Sequence, residues 1–392
     1  MIERKALLER LREQIEKTGH IIGAVAGSGM TARYTAMGGA DLILALSAGK
    51  FRIMGRSSFT SFFCFGNSNE IVMQLGTKEL LPIIPDTAVL FGLFASDPLI
   101  SLYEYLSEIK RKGFSGVVNF PTVCLIDGQF REALEEEGSS YEREIEAISV
   151  AHYLDMFTLA FARDEEQARR MAQAGADVIC AHLGFTKGGY IGAKKYLPIE
   201  SARLLAESIF RACDEVRGDV IKMVYGGPAN TPGDMEYLYG STGCNGYIGG
   251  STFDRIPTEQ AILETTRAFK RPGESQLIKG AASEVNYAEF VKQFVDDNYM
   301  REIRLSALAK AAHITAPYLS SKFKEEVGCS FTEYLVRCRV NRAEELISNA
   351  ALPLARVAEL VGYPDYVQFS KMYKKYKGET PTATRRRARD GE

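Results

Sequence analysis

Several polar side chains in the first 270 residues have the chemistry to bind a small anion or to act on it. Arg52 and Arg56 lie four residues apart, and guanidinium groups form charge-assisted hydrogen bonds to phosphate and carboxylate. His182 and Asp97 are of the types that transfer protons, so both are candidates for catalysis as well as for binding. Asn119 adds an amide that can hold a ligand oxygen. Each of the last three could equally be a satisfied polar group of the core.

Small residues near these side chains suggest where an anion would lie. Glycine lets backbone N–H groups approach a phosphate, and Gly-Gly pairs occur at 226–227 and 249–250. One such pair more often serves a tight turn, whereas two pairs after the last two apolar runs favour an anion site. The small residues predicted to contact the ligand are Gly27, Ser28, Gly29, Gly226, Gly227, Gly249, Gly250 and Ser251.

Eight short apolar runs must position these residues. They alternate with helical patterns, which is typical of parallel β-α-β units. Eight units in about 250 residues match an α/β fold of the (β/α)8 TIM-barrel type, in which the loops after the strands meet at the mouth. A doubly wound open sheet is the alternative. The runs cover residues 21–26, 41–46, 88–94, 116–119, 157–161, 178–182, 220–225 and 246–249.

The pattern changes to helices alone after a Pro-Gly break. We predict a barrel domain over residues 1–270, a linker over 271–285 and an all-α domain over 286–392. Two helix-turn-helix units joined by a long helix can place their second helices in successive major grooves of DNA. The predicted helices cover residues 286–300, 305–312, 315–326, 332–349, 354–361 and 365–376.

Helical periodicity separates core from groove in the two recognition helices. Leu319, Phe323, Phe369 and Tyr373 should pack inward. Lys324, Lys374 and an arginine-rich tail at 385–389 suit phosphate contacts, although solvated surface lysines are the plainer interpretation. The residues predicted to reach base edges are Ala316, Pro317, Ser320 and Ser321 in the first helix, and Tyr366, Val367, Ser370 and Lys371 in the second.

Composition is that of a folded protein, with 46% hydrophobic and 25% charged residues. No long uncharged apolar stretch is present, and the seven cysteines are scattered, so we expect a cytoplasmic protein without membrane, metal or cofactor. The net charge of −2 divides into −6 before residue 285 and +4 after it, where 18 Lys and Arg face 14 Asp and Glu. The basic end suits contact with phosphates, although a solvated charged surface would look the same.

Short motifs are spread through the first 270 residues. They are Gly38–Ile43, Phe51-Arg52, Gly55-Arg56, Asp97-Pro98, Val118–Thr122, Leu125–Gly128, Ala174–Asp177, Gly226–Pro228 and Glu259–Ile262. With them the first part resembles the phosphoenolpyruvate hydrolase-like TIM barrels, a family also described as signal-transduction barrels. The resemblance implies hydrolysis of an enol phosphate. This chain departs from the family at Ser47 and Ala48, where an Asn-Ser pair is usual, and at Tyr225, where the family has His. Loss of an amide and of an acid-base group favours binding without turnover.

Motif residues at fixed spacing run through the last part of the chain. They include Leu308-Ala309, Tyr318–Ser320, Gly328–Phe331, Val361–Tyr363, Phe369–Lys371 and Gly378–Pro381. With them the chain resembles an AraC-type DNA-binding domain over residues 286–389. The resemblance implies a transcription regulator that binds double-stranded DNA at a promoter or operator.

The glycine pairs and arginines of the barrel add the expectation that a small phosphorylated or carboxylated metabolite bound there controls the regulator. An active hydrolase or lyase that also regulates transcription is the alternative, and a barrel used only for self-association is a third hypothesis. A homo-oligomer formed through the barrel is expected.

Overall fold

The computed structural model describes residues 1–63, 65–270, 287–312, 314–349 and 352–390, with no side-chain description at 311, 349 and 388–390. The chain forms two compact units, Met1–Pro272 and Gly273–Glu392. The predicted linker, residues 271–285, lies outside the described residues.

Eight parallel strands close into a barrel in chain order, with the last strand paired to the first. This confirms the predicted (β/α)8 fold and removes the open-sheet alternative. The strands differ from the predicted runs by at most one residue at either end. They are β1 Ile21–Val25, β2 Leu42–Ala45, β3 Ala88–Leu93, β4 Gly116–Asn119, β5 Phe157–Ala162, β6 Val178–His182, β7 Ile221–Tyr225 and β8 Gly246–Gly249.

Helices surround the strands, and the apolar side chains on one face of a helix pack against the barrel. The first of them is amphipathic, with Leu7 and Leu11 fully buried. The barrel unit contains α1 Arg4–Thr18, α2 Gly29–Met37, α3 Ser47–Ile53, α4 Ser68–Leu75, α5 Leu102–Arg111, α6 Gly128–Glu136, α7 Tyr141–Tyr153, α8 Glu165–Gln173, α9 Ile199–Asp214, α10 Pro232–Ser241 and α11 Arg255–Lys270, with 3-10 helices Ser58–Phe62 and Val123–Leu125 and a π-helix Gly76–Leu80.

Carboxylates bind the strands together at the amino-terminal end of the barrel. Asp41, just before β2, accepts the N–H of Ile22 at 2.8 Å. Asp177, just before β6, accepts the N–H of Thr158 at 3.0 Å and pairs with Arg4 of α1 at 2.8 Å. These carboxylates stabilise the end of the barrel opposite the mouth.

Two small cores hold the helical unit. One surrounds Leu319 and Phe323, and the other surrounds Phe369 and Tyr373. The arginine-rich tail predicted at 385–389 belongs to a terminal helix, α18, which covers Pro381–Asp390. The helices are α12 Tyr287–Asn298, α13 Leu305–Ala311, α14 Ala316–Val327, α15 Phe331–Asn349, α16 Leu354–Leu360, α17 Tyr366–Lys377 and α18 Pro381–Asp390.

A search of the described residues finds no helix with the length and apolarity needed to cross a lipid bilayer.

Candidate functional site

Arg52 lies at the mouth of the barrel as one half of a buried ion pair. It is carried by α3, directly after β2, and its guanidinium stands 3.2 Å from the carboxylate of Asp254, with both side chains fully buried. Asp254 also accepts the hydroxyl of Thr31 at 2.8 Å. Burial raises the pKa of Asp254, and the charge of Arg52 opposes that rise. The pair therefore joins the loops after β1, β2 and β8. Arg56 lies beyond the end of α3 and is exposed.

Three aromatic rings form the floor of the mouth. Tyr225, at the end of β7, stacks on Phe161 with ring centroids 5.2 Å apart and meets the ring of His182 edge-on at 4.8 Å. Nδ1 of His182 accepts the N–H of Gly184 at 3.2 Å. Burial lowers the pKa of His182 to about 3, and the nearby charge of Arg163 acts in the same direction. The imidazole is thus neutral at physiological pH.

Phenylalanines cover this floor. Phe59 stacks on Phe185 at 4.1 Å, and Phe62 meets the edges of Phe120 at 5.8 Å and Phe185 at 6.0 Å. We call these four residues the aromatic lid. The space between lid and floor measures about 10 Å³, enough for about one water. A larger ligand requires the lid to shift.

The glycines predicted to cradle an anion are explained mostly by packing of the protein on itself. Gly226 and Gly227 have positive φ of 73° and 59°. A Cβ on Gly226 would lie 2.3 Å from a carbonyl oxygen of the loop after β6, and one on Gly27 would lie 2.1 Å from the oxygen of Gly49. A side chain on Gly29 or Gly249 would also collide with protein atoms.

Gly250 differs because its missing side chain faces the candidate site. A Cβ there would lie 2.8 Å from the hydroxyl oxygen of Tyr225 and 3.3 Å from Nη1 of Arg52. Ser28 instead caps α2 by accepting the N–H of Thr31, and Ser251 is buried. Arg52, His182 and Gly250 are therefore the predicted site residues that the mouth brings together, and Tyr225, noted in the sequence only as a departure from the family pattern, lies among them.

Asn119 ends β4 and Asp97 lies in the loop after β3, but both belong to other hydrogen-bond networks than the residues of the mouth. The amide of Asn119 donates to Glu144 at 2.6 Å and accepts the N–H of Phe161 at 2.7 Å. The carboxylate of Asp97 accepts the amides of Asn67 at 2.7 Å and Asn69 at 3.0 Å. Asp97 lines a different cavity from His182, so the two catalytic candidates do not share one cavity.

Glu144 is a site residue that sequence reasoning missed. It lies on α7, is buried, and accepts hydrogen bonds from Thr122 and from the N–H of Val123, both at 2.8 Å. Burial raises its pKa to about 7. Nothing in its helical spacing marks it, because its partners belong to the loop after β4.

The departures from the family pattern have local partners of their own. Ser47 donates to Ser61 at 3.1 Å and accepts the hydroxyl of Ser68 at 2.8 Å, which forms a chain of three hydroxyls. Ala48 is fully buried. No set of three or more His, Cys, Asp or Glu side chains suited to a metal ion occurs within the described ranges.

The depressed pKa of His182 predicts a pH dependence of stability. The ring is neutral in the folded barrel down to about pH 3, whereas in the unfolded chain it takes a proton near pH 6.5. The contribution of the neutral ring to the free energy of unfolding is therefore fully present above pH 6.5 and decreases as the pH falls from 6.5 towards 3. We expect the stability advantage of wild type over His182→Gln to shrink by about 2 kcal/mol between pH 8 and pH 5, measured by urea unfolding. An advantage equal at both pH values would contradict this.

The two recognition helices are built alike. Each has 12 residues and ends at a glycine in the left-handed conformation, Gly328 or Gly378. Thr315 caps the first by accepting the N–H of Tyr318, and Asp365 caps the second by accepting the N–H of Val367 at 2.9 Å.

Their inward and outward faces follow the predicted period. Leu319, Phe323, Phe369 and Tyr373 are fully buried. Ala316, Tyr366 and Ser370 are half-buried, and Ala316 and Tyr366 pack against the cores, which leaves them less available than predicted. The predicted contact residues that are exposed are Pro317, Ser320, Ser321, Lys324, Val367, Lys371 and Lys374.

Arg339 connects the two helix-turn-helix units. From the long helix α15, its guanidinium donates to the carbonyls of Tyr299 at 2.7 Å and Arg301 at 2.6 Å. The same group lies over the ring of Tyr363 at 5.3 Å. Since Tyr363 follows α16 of the second unit, this contact holds the spacing between the units.

Comparison with known proteins follows the same division. The family model "Phosphoenolpyruvate hydrolase-like" matches residues 6–271, and the model "Helix-turn-helix domain" matches residues 308–387. The "ToMV resistance protein Tm-1(GCR237)" of Solanum lycopersicum is 40% identical over 269 residues, which is 68% of this chain and 36% of that protein.

A bacterial relative shows similar coverage. The "Putative transcriptional regulatory protein y4pA" of Sinorhizobium fredii is 37% identical over 70% of this chain and 45% of its own length. The chain thus spans less than half of either relative. The C-terminal domain of AraT, a response regulator from Geobacillus stearothermophilus, is 31% identical over 26% of this chain and 84% of that chain, with a TM-score of 0.25.

The barrel, its match over residues 6–271 and the capped helix pairs after it agree on one assignment. The chain belongs to the phosphoenolpyruvate hydrolase-like family and carries, after its barrel, an AraC-type helix-turn-helix domain.

Proposed function

We propose that the protein is a transcription regulator that binds promoter DNA through α14 and α17. The observation that carries the proposal is the duplicated recognition helix, with small or basic side chains exposed on one face and aromatic side chains buried on the other. A face of this kind enters a major groove without steric conflict. Arg339 keeps the two units at a fixed separation, as binding to successive grooves requires.

We further propose that a small phosphorylated or carboxylated ligand at the barrel mouth controls this binding. Nη1 of Arg52 donates to the hydroxyl of Ser58 at 3.3 Å, and Ser58 begins the 3-10 helix that carries Phe59 and Phe62. An anion at Arg52 would replace Ser58 as its partner and would release one side of the aromatic lid. Ligand binding would therefore be coupled to movement of the segment Ser58–Phe62.

Binding without turnover fits the mouth better than catalysis. Tyr225 stands where an acid-base histidine would be expected, Nδ1 of His182 is already hydrogen-bonded to Gly184, and Asp97 faces another cavity. The hydrolase or lyase alternative needs at least one of these groups to reach the substrate.

Replacing Gly250 with valine is expected to abolish ligand binding. The new side chain would occupy the space beside the Tyr225 hydroxyl and Arg52. Calorimetry with phosphoenolpyruvate, pyruvate and inorganic phosphate should show binding to wild type and a loss of about tenfold or more in the variant. Gly243→Val is the matched control, since nothing lies within 4 Å of a Cβ there. Equal binding by both variants, or turnover at about 1 per second or faster, would refute a sensing role.

The expected homo-oligomer also stays a prediction. Light scattering with and without ligand measures it directly.

A further inference from the structure

A second cavity of about 430 Å³ lies beside the mouth, between the loops after β2, β3 and β4. Its outer wall is α6. The lining is mainly apolar and includes Phe62, Phe94, Pro121, Val123, Phe130 and Leu134. Cavities of about 300–1,000 Å³ with apolar walls and a few polar groups are typical of small-molecule sites.

This cavity contains a carboxylate. Asp97 is the one ionisable side chain among the described residues that line it, and its carboxylate is held by the amides of Asn67 and Asn69. The described lining includes no lysine or arginine. An anion would therefore be repelled from this cavity.

Two serine hydroxyls are among the polar groups of the lining. Ser61 and Ser68 line the cavity and are joined through Ser47, so their hydroxyls already form a hydrogen-bonded chain. One of these hydroxyls could hydrogen-bond to a polar atom of a ligand, and when no ligand is bound the bonds among the three serines keep the hydroxyls satisfied.

The outer wall, α6, carries apolar side chains that remain accessible to solvent. No residue of α6 is buried, and Phe130 is 56% exposed although it faces the cavity. The helix is tied to the barrel by Arg131, which donates to the carbonyl of Val123 at 2.7 Å. A ligand in the cavity would remove the inner faces of Phe130 and Leu134 from water, a favourable change for an apolar molecule.

We propose that this cavity binds a small uncharged aromatic molecule. The site is distinct from the anion site of the mouth and does not depend on the proposed regulatory function. The two sites share Phe62, whose ring lines the cavity and also packs on Phe120 and Phe185 in the aromatic lid.

Two probes with the same ring system test the proposal on the full chain. N-phenyl-1-naphthylamine is uncharged, and 8-anilino-1-naphthalenesulfonate carries a sulfonate. We expect saturable fluorescence of the uncharged probe at one site per chain, and affinity for the sulfonate lower by about tenfold or more. Leu134→Trp should fill the cavity and weaken binding of the uncharged probe by at least about tenfold. Leu204→Trp, on α9 and 53% exposed, is the control and should leave it unchanged.

Three results would overturn the proposal. They are equal affinity for both probes, unchanged binding in Leu134→Trp, or a change of molecular mass in that variant by light scattering, which would make the cavity a contact between copies of the chain. Should Leu134→Trp fail to fold by circular dichroism, Ser139→Trp provides the same test from the same wall of the cavity, where the N–H of Ser139 donates to the carbonyl of Leu134 at 2.8 Å.

Discussion

Asp254→Ala is expected to lower the free energy of unfolding of the barrel by about 3–5 kcal/mol, because it leaves the charge of Arg52 buried without its carboxylate. Both side chains are fully buried, so water cannot replace the lost partner without opening the mouth. Urea unfolding of the full chain, followed by circular dichroism, measures the change. The midpoint of the unfolding transition of the barrel should move to lower urea concentration.

Two further variants show whether the pair itself is responsible. The double variant Arg52→Met with Asp254→Leu removes both charges and should recover most of the lost stability. Asp219→Ala breaks two surface pairs, with Arg12 at 3.5 Å and with Arg217 at 3.1 Å, in which the Asp219 side chain is 58% exposed, and it should cost no more than about 1 kcal/mol. If Asp254→Ala is no more destabilising than Asp219→Ala, the buried pair does not have the role given to it here.

Lys371→Ala is expected to weaken binding to the preferred DNA sequence by about 1–3 kcal/mol and to relax discrimination at one or two base pairs. Lys371 is exposed on the outward face of α17, next to Val367 and one turn before Lys374 and Lys375. Fluorescence anisotropy with the selected duplex and single-base variants of it measures both effects. Lys374→Ala should instead weaken binding to all sequences alike and reduce the salt slope by about 1.

Lys292→Ala serves as the control for charge. It removes one positive charge from α12, where Lys292 pairs with Glu289 at 2.9 Å, and should leave affinity and discrimination unchanged. A uniform loss across sequences in Lys371→Ala would make this residue a phosphate contact and would remove it from base recognition.

The sequence predicts much of this architecture because local patterns carry it. Alternation of apolar runs with helical periods placed all eight strands to within a residue. Helical period also identified the buried faces of both recognition helices, since burial of Leu319 and Phe369 follows directly from their spacing within one element.

Side-chain partners at the mouth were not predictable in the same way. Arg52 and Asp254 are 202 residues apart, and only closure of the barrel brings their loops together. Arg52 and Arg56 look equivalent in the sequence, but α3 ends at Ile53, so one is buried and the other exposed. Asn119 was placed at the correct strand end, yet its amide is held by Glu144, a residue that no local pattern connects to it.

Selection of the full chain against random duplex DNA, followed by footprinting of the enriched sequences at several salt concentrations, tests the central claim most directly. We expect two protected segments about 10 base pairs apart on one face of the duplex, because α14 and α17 enter successive major grooves. Affinity should fall steeply as salt rises, through release of counterions from the phosphates. Failure to enrich any sequence, or a single protected segment whose affinity is independent of salt, would contradict the assignment of this chain as a DNA-binding regulator.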